Sequence, residues 1–413
     1  MKLQRLAIIA FSAFVTMAVH GQLFHPLGLG IEKGERKGDF FQPQIHVEGD
    51  ILYACTNQGL YSKDLSNGES EWHLVGFEGI PLQDYARRGD DILALRYSYS
   101  SNYNEAFLLL SHDGGKTYED VTPDMIKTPH SGWKMVMKNL IQHPTDPNLL
   151  LVLSMPMGVF QSADFGQSWN QLSDFIPDYI CYHPLNPEII CGSGESPGFW
   201  AYMNNSYDGG QTWEYVKPDY PGDNRVNRMA FHPADLNRWI AGGFGTVYTS
   251  IDNGHTWNTQ IFSGNRDALW RYTLYDNENP DIIYMAGDYY FRLMCSTDGG
   301  STWNEPYLEP IKKTPREYVY DLKQYGDRLL VFYESDVYEI SKAELLAQGA
   351  TSVQSIVQPT TEDGALYDLS GRKISAEANS SFFTLHSSLK RGIYIEGGKK
   401  KVKQPELKQN RLD

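Results

Sequence analysis

One eight-residue phrase recurs five times in this 413-residue chain and restricts its architecture more than any other feature. The copies are SHDGGKTY (111–118), SADFGQSW (162–169), SYDGGQTW (206–213), SIDNGHTW (250–257) and STDGGSTW (296–303). From Asp113 the aspartates advance by 51, 44, 44 and 46 residues to Asp164, Asp208, Asp252 and Asp298. A period near 45 with one turn phrase per copy predicts a radially repeated β architecture. Such a repeat defines a scaffold and leaves the chemistry open.

Around each phrase the sequence alternates short apolar runs with turn residues. Residues 135–172 and 179–216 read as strand, His-Pro turn, strand, loop, strand, aspartate turn, strand. Residues 228–261 follow the same course, and in 269–307 Tyr275-Asp276 replaces His-Pro. Four strands, A to D, make one propeller blade. A first, weaker unit spans 40–75 with an expanded turn after Asp64, and a last spans 316–340 without a clear fourth strand. Units near Asp64, Asp113, Asp164, Asp208, Asp252, Asp298 and Asp336 predict seven blades, an all-β propeller with a small C-terminal β module. An open ring leaves exposed sheet edges, so residues 23–32 are expected to supply the missing outer strand of the last blade.

Residues 1–21 read as a secretory signal: Lys2 and Arg5, then an apolar run from Leu6 to Val19 that is short for a membrane span. The net charge is −15; the signal carries +2 and residues 350–413 carry +3, which leaves −20 on residues 22–349. A domain this acidic repels phosphate backbones and argues against nucleic acid as partner. Cys181 and Cys191 flank a hairpin-like stretch, either as a cross-strand disulfide or as two buried thiols, and the four cysteines match no zinc spacing.

The phrase resembles the Asp-box (BNR) repeat of sialidases, sortilin-type receptors and xyloglucanase-type hydrolases, over roughly residues 40–340. The resemblance implies that the box aspartates are structural, one per blade on outer turns, and not convergent catalytic or calcium-binding groups. His143, His183 and His232 occupy equivalent A–B turns of different blades, so turn packing is expected of them and no zinc triad. No cofactor and no metal is expected.

The D–A and B–C loops share the face opposite the boxes, where a propeller ligand site is expected. Inner-strand starts and D–A loops supply Asp84, Arg87, Arg88, Trp133, Arg225, Arg228, Arg266, Asp267, Trp270, Arg271, Arg316, Glu317 and Tyr318; B–C loops supply Glu195, Trp200 and Tyr289. Aromatic rings stack on sugars, and arginine binds carboxylates. The ligand set expected is Arg225, Arg228, Arg266, Arg271, Arg316, Trp133, Trp200, Trp270 and Tyr289, with Glu317, Tyr318, Glu195 and Asp267 as catalytic candidates. The alternative is that these loops pack one another. The Arg-Ile-Pro signature of sialidases is missing, and a xyloglucanase cleft needs two propellers where this length allows one. Glycan binding, with glycosidase or lyase action on an acidic sugar as its enzymatic form, is therefore the leading expectation. A non-enzymatic protein- or peptide-binding scaffold, as in sortilin-like propellers, is the alternative.

After a linker at 350–363, residues 364–413 carry YDLSGRK (367–373), KRGIYI (390–395) and GGKKKVK (397–403). These segments resemble the C-terminal sorting domain of Bacteroidota proteins exported by the type IX system. The resulting expectation is a signal peptide (1–21), a propeller (22–349) and a sorting-like module (364–413). The protein would be secreted or held at the cell surface by that machinery, as a monomer without a membrane span, binding a glycan or a surface protein.

Overall fold

The computed structural model describes residues 24–30, 42–97, 107–127, 136–155, 157–195, 201–218, 226–262, 269–288, 292–305, 318–334 and 336–347, with short strands between 353 and 403. Seven antiparallel sheets follow one another as blades: residues 45–76, 82–120, 136–173, 179–216, 229–262, 269–304 and 319–341. The inner (A) strands are Ile45–Glu48, Leu82–Arg88, Val136–Gln142, Tyr179–Tyr182, Met229–Phe231, Leu269–Tyr275 and Val319–Tyr325. Inner strands lie beside one another between blades 2 and 3, 3 and 4, 5 and 6, and 6 and 7, and that of blade 7 lies beside that of blade 1. This is a seven-bladed β-propeller.

The last blade receives its outer strand from the start of the chain. His25–Pro26 pairs antiparallel with Tyr338 and Glu339 in the strand Asp336–Ser341. The Leu27 amide donates to the Val337 carbonyl (2.8 Å) and the Leu29 amide to Asp336 Oδ1 (2.9 Å). Expected closure by residues 23–32 is therefore what the chain does, and the edge that it would otherwise expose is covered.

Burial shows why closure matters. The apolar core is divided into seven clusters of described residues, one between each pair of neighbouring blades. Phe24 belongs to the cluster between blades 6 and 7, and Leu29 to the one between blades 7 and 1. Each sheet is apolar on both faces, so its strands read as short continuous apolar runs.

The box phrases form C–D turns of one repeated geometry. In the box of blade 4, Ser206 Oγ accepts from the Gly210 amide (2.8 Å) and donates to Asp208 Oδ1 (2.8 Å). The Asp208 carboxylate then accepts from the Thr212 amide (2.8 Å) and hydroxyl (2.6 Å). The same contacts recur around Asp113, Asp164, Asp252 and Asp298. Trp213 closes the turn by donating its indole N–H to the Gly210 carbonyl (3.1 Å). The last glycine is also an interblade contact, because a Cβ on Gly210 would meet Leu172 of blade 3 at 2.6 Å. The boxes are thus structural, as the resemblance implies.

These contacts have a pH signature. Donation from the Thr117 amide holds Asp113 at about 2, and donation chiefly from the Thr212 hydroxyl holds Asp208 at about 2. A folded-state pKa below the unfolded value near 3.9 gives stability that is present above pH 4 and lost as pH falls through that value towards 2. Denaturation midpoints measured from pH 5 to 2 should fall in that window, and Asp208→Asn should flatten the fall while lowering the midpoint at pH 6.

At the A–B turns, His143 Nδ1 accepts from the Asp146 amide (3.0 Å), His183 Nδ1 from Leu185 (3.1 Å) and His232 Nδ1 from Ala234 (3.1 Å). In blade 6 Asp276 Oδ1 performs the same task for the Glu278 and Asn279 amides (2.9 and 3.0 Å). Burial between Phe231 and Trp239 lowers His183 to about 4. No cluster of three or more metal-ligating side chains occurs among the described residues. Nor is any described helix long and apolar enough to cross a membrane.

Cys181 and Cys191 face one another across the first two strands of blade 4 as free, buried thiols. Burial, reinforced by Cys181, pushes the Cys191 thiol upward. Residues 357–413 form a second compact unit, containing an antiparallel sheet of Leu366–Asp368, Lys373–Ile374, Gly392–Glu396 and Lys399–Lys403.

Candidate functional site

Two features occupy the axis of the ring: a buried cluster of charges, and a cavity at the end where the A–B turns lie.

The cluster begins with a backbone irregularity. The inner strands of blades 2, 3, 6 and 7 each carry a register shift one to three residues into the strand, at Leu82/Asp84, Lys138/Leu140, Trp270/Tyr272 and Val319/Asp321. Bulges of this kind re-aim side chains. In blades 2 and 7 the re-aimed residue is an aspartate whose Oδ1 caps the next amide, Tyr85 for Asp84 and Leu322 for Asp321, each at 2.9 Å. Both carboxylates reach blade 1: Asp84 Oδ1 meets His46 Nε2 at 2.8 Å, and Asp321 Oδ2 accepts from the Ile45 amide at 3.1 Å.

Arg228, just ahead of the inner strand of blade 5, completes the cluster. Its guanidinium carbon lies 4.9 Å from the ring centre of Tyr179 in blade 4 and 4.6 Å from that of Tyr272 in blade 6. Its Nη1 lies 3.7 Å from Asp321 Oδ1 in blade 7. Burial works against the charge on Arg228, but Tyr272, Asp321, Tyr179 and Asp84 outweigh it and hold the group protonated. One side chain thus ties blades 4, 5, 6 and 7 together across the axis. Lys323 adds a second cation 3.1 Å from Asp321 Oδ2.

The cavity has a volume of about 890 Å³ and is lined by His46, Val47, Glu48, Arg87, Gly89, Asp90, Gln142, Leu274, Asn277, Lys323 and Gln324. These residues come from the far ends of the inner strands and from the A–B turns of blades 1, 2, 3, 6 and 7. Glu48 accepts from Tyr85 Oη (2.7 Å) and faces Arg87 (3.6 Å), which also contacts Tyr53 and the Gly89 carbonyl. Gln142 Nε2 donates to the Arg87 carbonyl (2.9 Å). Amides, acids and bases line this mouth, with no tyrosine, tryptophan or phenylalanine among them.

The expected site residues are dispersed relative to this arrangement. Arg228 lies inside the channel, bound to its own chain. Trp270 is fully buried, edge-on to Phe262 and against Gly242, so its ring is core and offers no stacking surface. Arg271 sits at the bulge of the same strand, partly buried. The Tyr318 amide donates to Glu334 Oε1 (2.8 Å), and its ring packs between blades 7 and 1. Glu195 ends the second strand of blade 4, opposite Ala201. Arg225, Arg266, Arg316, Trp133, Trp200, Tyr289, Glu317 and Asp267 lie outside the described residues. Arg87 and Arg88 end their strand at the A–B turn, opposite the face on which the loops were expected to gather. Sequence reasoning missed His46, Glu48, Asp90 and Lys323; the strand-turn-strand spelling of 45–52 and 82–96 was the available signal.

No protein-family model matches the sequence, and no curated relative does. Solved structures do resemble it. YCF48 bound to D1 peptide superposes with a TM-score of 0.51 at 15% identity, covering 73% of this chain and 93% of that one. The GH74 xyloglucanase from Xanthomonas campestris gives 0.56 at 18% identity, over 81% of this chain and 55% of the enzyme, so this chain spans about half of its length. The extracellular domain of the putative one component system BT4673 from B. thetaiotaomicron gives 0.53 at 10% identity, over 85% and 44%. At these identities the likeness shows the fold alone: a seven-bladed propeller.

Proposed function

We propose that this chain is a binding propeller that takes a polypeptide segment at the A–B mouth and has no catalytic centre on its axis. The observation that carries this reading is the state of the two axial carboxylates. Asp84 and Asp321 are buried and cap backbone amides; Asp321 is matched by Lys323 and Arg228, and Asp84 is hydrogen-bonded to His46. Hydrolysis of a glycosidic bond needs a pair of carboxyl groups flanking the substrate. This pair is committed to joining blades.

The mouth suits a peptide. Side-chain amides of Asn277 and Gln324 match main-chain N–H and C=O groups, while charges of both signs address side chains. Size agrees as well: the propeller matches nearly the whole of YCF48, which was solved with a peptide, and only half of the xyloglucanase. Secretion through residues 1–21 and type IX sorting through residues 364–413 complete the proposal and would place the binding face outside the cell.

Glycan recognition on the loop face is the second reading, favoured by the arginine and aromatic content of the D–A and B–C loops. Probing the purified full-length protein in parallel against a peptide array and a glycan array separates the two. The expected result is saturable peptide binding without sugar binding. Retention of uronate- or sialate-containing glycans with no peptide signal would overturn the peptide reading.

A further inference from the structure

Within the polypeptide reading, on which this inference rests, we propose that the A–B mouth selects a basic side chain, the ammonium of lysine or the guanidinium of arginine, with Asp90 as its counter-ion. The argument starts from the charges that line the cavity. Arg87 is matched by Glu48 at 3.6 Å and Lys323 by Asp321 at 3.1 Å, while His46 Nε2 is hydrogen-bonded to Asp84 Oδ1 at 2.8 Å. Asp90 also lines the cavity, is exposed, and has no side-chain partner among the described residues. The mouth therefore presents one uncompensated carboxylate beside a ring of satisfied pairs.

Its position is built by the fold. Gly89 takes a positive φ of 64° in the tight turn between Leu82–Arg88 and Asp91–Arg96, which brings Asp90 to the rim. The Asp90 carbonyl is held by the Gly114 amide at 3.0 Å, so the turn is anchored to the box of its own blade. Asn277 of blade 6 also lines the cavity and offers an amide oxygen that can accept from a cationic ligand.

The wider field has the same sign. The A–B turns of the other six blades carry Asp50, Asp146, Glu188, Asp235, Glu278 and Asp327. Residues 22–349 carry a net −20. Such a surface draws basic segments toward it and repels acidic ones. A cavity of about 890 Å³ has room for a long side chain with its neighbouring backbone.

The test uses full-length protein and three immobilised peptide libraries, randomised except for a central lysine, acetyl-lysine or glutamate. The lysine library should retain the protein about tenfold or more over the other two, the scale of one charge-assisted hydrogen bond. Asp90→Asn should erase that preference, whereas Glu119→Gln on the outer strand of blade 2 should keep it. Equal retention on all three libraries, or a lysine preference that survives Asp90→Asn, would overturn the assignment of the basic pocket while leaving peptide binding intact. Absence of retention on every library would remove the polypeptide reading itself. The acetyl-lysine comparison is made on the unaltered protein and needs no variant to fold.

Discussion

Replacing Arg228 by methionine should destabilise the propeller by about 3–5 kcal/mol, the cost found when one partner of a buried ion pair is removed. Methionine keeps much of the aliphatic stem between Tyr179 and Tyr272 but removes the charge that faces Asp321 and, further off, Asp84. Those carboxylates are 1% and 3% exposed, so water cannot replace the arginine. Equilibrium unfolding in urea, followed by tryptophan fluorescence, would measure the loss. A double variant, Arg228→Met with Asp321→Asn, should recover part of it, because it removes one of the two buried carboxylates that Arg228 faces. If Arg228→Met unfolds at the wild-type midpoint, the axial cluster does not hold the blades. The structural argument that Asp84 and Asp321 are unavailable for catalysis would fail with it.

How much of this was legible beforehand depended on sequence distance. The boxes declare themselves because Ser206, Asp208, Gly210 and Thr212 lie within seven residues and bond to one another. Even so, the hydroxyl of Thr212 on Asp208 and the indole of Trp213 on the Gly210 carbonyl were not anticipated. The missing strand of blade 7 was legible as a topological need, since a ring with an unpaired edge is unstable. The axial site was not legible. Arg228 and Asp321 meet from blades 5 and 7, and nothing local marks either as buried.

Bulges hid the rest. A register shift at Trp270/Tyr272 turns the strand so that Trp270 fills the interface between blades 5 and 6 while Tyr272 faces Arg228. Trp270 reads as a loop-face residue because it follows the D–A loop at the start of the inner strand, yet both faces of this sheet pack against neighbouring blades. Arg87 and Arg88 were placed at the wrong end of their strand for a related reason. Leu82–Arg88 runs for seven residues, longer than the four of Ile45–Glu48, and carries them through to the A–B turn. There Arg88 pairs with Asp91 at 2.6 Å and Arg87 borders the cavity.

Both the cluster and the mouth exist only if the ring is shut, and residues 24–30 are what shuts it. Phe24 is 2% exposed between blades 6 and 7, and Trp72 Nε1 donates to the Leu27 carbonyl at 2.9 Å from blade 1. The decisive measurement is size-exclusion chromatography with light scattering, and thermal unfolding, on a chain shortened to begin at residue 36. Loss of the strand uncovers the edge Asp336–Ser341 and the apolar surface under Phe24 and Leu29. The expected outcome is a shift to larger, heterogeneous species and loss of the cooperative transition of the full-length protein. A shortened chain that elutes as a single species and melts with the full-length protein would contradict the closed ring and the axial site built on it.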